Sequence, residues 1–128
     1  MTLCELATAA VNKIPVKIFV LDNRCLGMVR QWQELFYDRR YSGIDLEGNP
    51  DFVRLAESYG IQSFAIRSTD QVDEVMTNVF AYNDGPCLVH AEIVQEENVF
   101  PMIPAGRSAK DIVLGPPKVK LEKPTGST

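Results

Sequence analysis

The stretch Ile18-Phe-Val-Leu-Asp-Asn-Arg-Cys-Leu-Gly-Met-Val-Arg-Gln-Trp32 decides how this chain folds. An apolar run ends in polar Asp22 and Asn23, Gly27 allows a turn, and Met28, Val29, Trp32, Leu35 and Phe36 recur at the spacing of one helix face. The pattern predicts a strand, a short loop and a helix. In a parallel α/β sheet, ligands bind at the loop leaving the carboxyl end of a strand, so residues 23–32 form the default site.

Working outward, residues 3–14 carry Leu3, Leu6, Ala7, Ala10, Val11 and Ile14 at helical intervals, and Pro15 closes that helix. Residues 16–21 are apolar at both parities, which predicts a central strand buried on both faces. The helix opened by residues 26–28 is expected to run to about Asp38, and the polar, Gly-containing residues 39–49 read as a surface loop. Asn49 before Pro50 suggests an N-cap and first helical position, and Gly60 a stop, for a helix over residues 50–59 with Phe52, Val53, Ala56 and Tyr59 inward. A strand over 62–67 follows. Ser68 and Gln71 have the form of a capping box, ahead of a helix with Val72, Val75, Met76, Val79 and Phe80 on one stripe. Asn83-Asp84-Gly85 ends it before the apolar strand 87–94. This α-β-α-loop-α-β-α-β order predicts an α/β fold: a doubly wound, mostly parallel sheet with helices on both faces. Residues 1–114 read as the folded part, and residues 115–128 as a mobile Pro- and Lys-containing tail.

Composition narrows function. The 128 residues are 45% hydrophobic and 23% charged, as expected of one ordinary globular domain. A formal charge of -4 gives no broad basic surface for nucleic acid, so small molecules or proteins are the expected partners. Three widely spaced cysteines without a CxxC pair suggest neither a disulfide framework nor a zinc site, and fit a reducing, cytoplasmic setting. Glu5, Asn12, Lys13 and Pro15 interrupt the apolar N-terminus, so neither a signal peptide nor a membrane span is expected.

Asp22 and Asn23 offer hard oxygen donors suited to magnesium, although such a pair is also common in plain turns. Cys25 lacks an evident helper for nucleophilic chemistry, and a buried structural role fits it better. His90, the one histidine, sits mid-strand and reads as a satisfied core or sheet-end residue. Met28 and Trp32 serve equally as a pocket wall or as plain core. There is no GxGxxG or Walker loop, and Arg39 with Arg40 reads as a solvated pair.

Several separated motifs then point one way. The run from Leu21 to Tyr37, Arg40-Tyr-Ser, Asn49-Pro-Asp-Phe-Val-Arg-Leu-Ala-Glu, Asp84-Gly-Pro and Glu97-Asn-Val-Phe-Pro-Met-Ile-Pro together resemble the C-terminal part of the acetolactate (acetohydroxyacid) synthase catalytic subunit. The resemblance covers residues 1 to about 114. It implies thiamine diphosphate and magnesium as cofactors, and 2-keto acids as substrates: pyruvate is decarboxylated and joined to a second keto acid in branched-chain amino acid synthesis. It further implies that Asn23 binds magnesium through its side-chain oxygen and Cys25 through its backbone carbonyl. Leu26, Gly27 and Met28 would adjoin the cofactor, and Met28 with Trp32 would line the acceptor pocket. Asp22 stands where the family usually has the first of two asparagines.

The N-terminal residues resemble family sequence just after a Gly-Asp-Gly motif. The aspartate of that motif, its strand and the pyrimidine-binding domain are therefore expected outside this chain, which would be inactive alone and prone to self-association through exposed sheet surface. The rival expectation is a free-standing, noncatalytic binding or assembly module.

Overall fold

A computed structural model describes residues 3–116. The elements run α1 (Glu5–Val11), β1 (Lys17–Asp22), α2 (Gly27–Phe36), α3 (Phe52–Ser58), β2 (Gln62–Ile66), α4 (Val72–Ala81) and β3 (Cys87–Glu92), with short 3-10 turns at Thr69–Gln71 and Ala109–Asp111. The chain divides into two compact units: Met1–Asn23 with Gly48–Val94, and Arg24–Glu47 with the described residues from Gln95 onward. The expected tail, residues 115–128, lies outside the described residues except for Gly115 and Pro116.

The first unit is a three-stranded parallel sheet in the order β1-β3-β2. β3 is buried or half-buried at every position because both of its faces are covered, as a central parallel strand requires. On one face Leu88 packs with Ala56 and Ile61, joined by Leu6 and Ala10 of α1, Ile18 and Val20 of β1, and Phe52 of α3. On the other, Val89, Cys87, Ala91 and Ile66 meet Val79 of α4, with Phe64, Val72 and Val75 around them. Helices thus lie on both faces, as the alternating pattern predicts.

The sheet corrects one expectation. β1 is an edge strand, not a central one. Its even-numbered side chains are covered by α1 and α3, whereas Phe19 and Leu21, on the face that α4 covers only over β2 and β3, are 42% and 66% exposed. Apolar residues at both parities do show that a strand has two sticky faces; they say nothing about which neighbours lie within the same chain. Similarly, α1 partly buries Leu6 and Ala10 but leaves Val11 83% exposed, so the apolar stripe read there is wider than the face that packs.

Two caps also differ from expectation. Asp51, not Asn49, caps α3, its Oδ1 accepting from the amides of Val53 and Arg54 at 3.1 Å each. Before α4, the Gln71 side chain reaches back to the Arg67 amide at 2.8 Å, and Ser68 makes no capping bond. Position in a capping pattern identifies the turn that needs a donor or acceptor, and neighbouring side chains compete for it.

The second unit is organised around α2. The expected surface loop 39–49 is anchored there: Leu26 donates to the Ile44 carbonyl at 2.8 Å, Leu46 donates to the Arg24 carbonyl at 3.0 Å, Cys25 and Asp45 form an antiparallel bridge, and Ile44 is buried. Residues 95–116 form an irregular arm, closed on itself by paired backbone bonds between Met102 and Val113 of 2.9 and 2.8 Å.

Candidate functional site

The carboxyl end of β1 lies in the sheet unit. Parallel register puts Val20 opposite His90 and Asp22 opposite Glu92, so Asp22 and His90 share a sheet face two residues apart. There the Asp22 carboxylate is buried, with Oδ2 at 3.1 Å from His90 Nε2 and Oδ1 accepting from Asn49 Nδ2 at 3.2 Å. The Phe52 ring stands 5.2 Å from the imidazole at a tilt of 59°. His90 is therefore a satisfied sheet histidine, and Asn49, read as a helix cap, is instead a partner of Asp22. Asn23 follows directly and is half-buried. Sequence reasoning missed this cluster. Its signal was a polar residue in each of two apolar strands, which share a face once parallel register is assumed.

Arg24, next in the chain, sits in the left-handed region at φ 55°, a conformation that disfavours any side chain with a Cβ. In the α2 unit, Cys25 is buried in its bridge with Asp45, which suits a backbone-presenting residue better than a reactive thiol.

The sequence leaves open which side of α2 is covered. Its polar side is the buried one: Gln31 is 1% exposed and Arg30 is buried, while Met28 is 51% exposed and Leu26 and Val29 are also exposed. Gln31 behaves like a strand partner for the arm, donating from Nε2 to the Val99 carbonyl at 2.9 Å and accepting from the Val99 amide at 2.7 Å. The same Nε2 approaches Met102 Sδ at 3.0 Å. Arg30 pairs with Glu34 at 3.0 Å and donates to Asn98 Oδ1 at 3.3 Å; Asn98 in turn donates to Glu34 at 3.1 Å, and the guanidinium lies 5.5 Å from the Tyr41 ring centroid. The apolar side carries Met28, Trp32 and Phe36, the last two in edge contact at 5.3 Å, and Trp32 is half-buried. Met28 is thus not core within this unit. Arg39 and Arg40 are exposed, as expected of a solvated pair.

The donor chemistry bears on a metal. No group of three or more His, Cys, Asp or Glu side chains among the described residues is arranged to hold one. An amide side-chain oxygen and a backbone carbonyl are nonetheless hard donors of the kind magnesium takes, with water and phosphate oxygens completing its octahedron. Donors of this kind suit magnesium better than a soft metal. No helix among the described residues is long and apolar enough to cross a membrane.

Comparison with known proteins places these features in a wider setting. Residues 1–91 match the family model described as thiamine pyrophosphate enzyme, C-terminal TPP binding domain. The acetolactate synthase isozyme 2 large subunit of Escherichia coli K12 is 43% identical over 113 residues, which are 88% of this chain and 20% of that protein. An acetolactate synthase of Mycobacterium bovis is also 43% identical, over 116 residues, 88% and 19% of the two chains. Among solved structures, a thiamine diphosphate-dependent 4-hydroxybenzoylformate decarboxylase of Rhodococcus jostii RHA1 superposes with a TM-score of 0.63 at 29% identity, over 72% of this chain and 17% of that one. The chain spans about a fifth of the length of the curated relatives it matches.

Proposed function

Because the chain belongs to the family of thiamine pyrophosphate enzyme C-terminal TPP-binding domains, and within it is similar to acetolactate synthase large subunits, we propose that it supplies part of the thiamine diphosphate and magnesium site of an acetolactate synthase. In this reading Asn23 offers its side-chain oxygen, and Cys25 its backbone carbonyl, to magnesium. Leu26, Gly27 and Met28 adjoin the cofactor, and Met28 and Trp32 form a wall for the acceptor 2-keto acid. When bound, thiamine diphosphate supplies the carbanion chemistry needed to decarboxylate pyruvate and join the remainder to a second keto acid.

What the chain's own residues do is hold and orient. The observation that carries the reading is the coincidence of Asp22-Asn23 with the carboxyl end of a parallel strand, where open α/β sheets bind ligands, in a chain that matches the TPP-binding family. The exposed side of α2 fits a pocket wall because a ligand-facing apolar surface must stay free of the protein's own core. The reading includes a cytoplasmic setting and a role in branched-chain amino acid synthesis. It also includes self-association, since β1 leaves an apolar edge exposed.

Calorimetric titration of the purified chain with thiamine diphosphate and magnesium tests the assignment. Binding that Asn23→Ala abolishes is the expected result. Absence of binding by the unsubstituted chain favours the rival, a noncatalytic module. A carboligation assay with pyruvate and both cofactors is expected to show no turnover by this chain alone; turnover would overturn the view that it holds only part of a site.

A further inference from the structure

A buried carboxylate remains at the end of β1 once the magnesium donors are assigned. Asp22 is 8% exposed, yet it is not an isolated charge: both of its carboxylate oxygens are engaged, one by Asn49 at 3.2 Å and the other by His90 at 3.1 Å. Its backbone is engaged as well, because the Ile93 amide donates to the Asp22 carbonyl at 3.0 Å. These partners come from the entry to α3, the middle of β3 and the residue just past β3. Two chain segments, the entry to α3 and β3 with the residue after it, therefore converge on one side chain and its peptide group.

Burying a carboxylate is costly unless it is paired and hydrogen-bonded, so a cluster like this constrains geometry as well as satisfying charge. The residue that inherits the constraint is Asn23, one planar peptide bond away. Magnesium demands near-ideal octahedral geometry, and side chains that orient a metal ligand matter nearly as much as the ligand. We propose that Asp22, held by His90 and Asn49, is a positioning residue that sets the backbone at Asn23 for the oxygen it offers to magnesium. This inference rests on the magnesium reading above. The competing account is a packing role only, in which the cluster stabilises the sheet end and leaves the order of Asn23 to other contacts.

Nitrogen-15 relaxation and manganese titration separate these accounts, with manganese standing in for magnesium as an electron paramagnetic resonance probe in the presence of thiamine diphosphate. In the unsubstituted chain the Asn23 amide is expected to have an order parameter near the rigid value of about 0.85; in Asp22→Ala it falls toward the flexible range below about 0.6 while the rest of the sheet stays ordered. Manganese affinity drops about tenfold or more in the same variant. Asp22→Asn restores both readouts, since a carboxamide of the same shape keeps an acceptor for Asn49 and a polar partner for His90. If Asp22→Ala does not fold, Asn49→Ala and His90→Gln, each removing or displacing one partner, carry the same measurements. Unaltered order at Asn23 in the folded variants overturns the positioning role even where manganese binds. Absence of manganese binding by the unsubstituted chain overturns the magnesium reading instead.

Discussion

Each of the two units of this chain has its own kind of interior. In the sheet unit the buried side chains are apolar apart from Asp22: Ala56, Ile61, Ile66, Val79, Cys87, Leu88, Val89 and Ala91. In the α2 unit Cys25 and Ile44 are joined inside by Arg30 and Gln31. Apolar burial is non-directional and gains about 25 cal/mol per Å², so the first unit depends on volume and tolerates swaps that conserve it. A buried polar contact has a small net gain and a large cost when one partner is lost, so the second depends on particular atoms. One interior is set by shape and the other by pairing.

The largest effect should come from the sheet unit. Ile61, 2% exposed against Ala56 and Leu88, loses both transfer energy and packing on truncation, and Ile61→Ala is expected to destabilise by about 2–5 kcal/mol in urea unfolding. Gln31→Leu comes next. It keeps the bulk but leaves the Val99 amide and carbonyl without their side-chain partner, at a cost of about 1–3 kcal/mol confined to the α2 unit. Hydrogen exchange should show the Val99 amide deprotected and the β3 amides unaltered. Equal deprotection of β3 would mean that the two units open as one, and the contrast between them would fail.

This contrast also governs what could be read in advance. The mostly apolar residues 87–94 announce the buried strand observed at Cys87–Glu92, and the spacing of Val72, Val75 and Val79 announces α4, because apolar burial leaves a period. The polar fastening of α2 leaves none. Gln31 and Val99 are 68 residues apart, and nothing in Glu97-Asn-Val-Phe-Pro-Met marks Val99 as the partner of a glutamine. Amphipathicity correctly identified the apolar side of α2 but not which side the rest of the unit covers. Of the site, the end of the strand was legible from the Asp-Asn pair and Gly27. The Asp22, Asn49 and His90 cluster was not, since it joins positions 27 and 68 residues apart. Edge status for β1 was equally hidden, because strand order is set by crossovers and not by the pattern within a strand.

The exposed edge extends the comparison to association. Phe19 and Leu21 lie on the part of the sheet face that α4 does not cover and are exposed, so the sheet unit is expected to self-associate through its β1 side. Light scattering of the intact chain should give an average mass above that of a monomer, and Leu21→Lys, which puts a charge on the edge, should lower it. A monomer at all concentrations in the unsubstituted chain would sink this expectation.

The smallest effects should appear at two exposed aspartates, one in each unit, that do similar local work. Asp111 takes hydrogen bonds from the Ser108 amide at 2.9 Å and hydroxyl at 3.0 Å, closing a capping box at the start of its 3-10 turn. Asp70, in the sheet unit, is also exposed, two residues after Ser68. The Ser108 amide and then its hydroxyl lower the pKa of Asp111, and the Ser68 hydroxyl, followed by the backbone bond, lowers that of Asp70. A carboxylate whose folded pKa lies below its unfolded value stabilises the fold above the unfolded value, near 3.8, and that contribution is lost as pH falls through the folded one. Carboxyl carbon-13 titration should therefore find both groups below the ordinary aspartate range. Ser108→Ala removes the hydroxyl donor but keeps the amide, the larger cause, so Asp111 should move only part of the way back. Ser68→Ala removes the larger cause at Asp70, which should move most of the way. Equal shifts at the two sites would show that the amide at Ser108 does not lead.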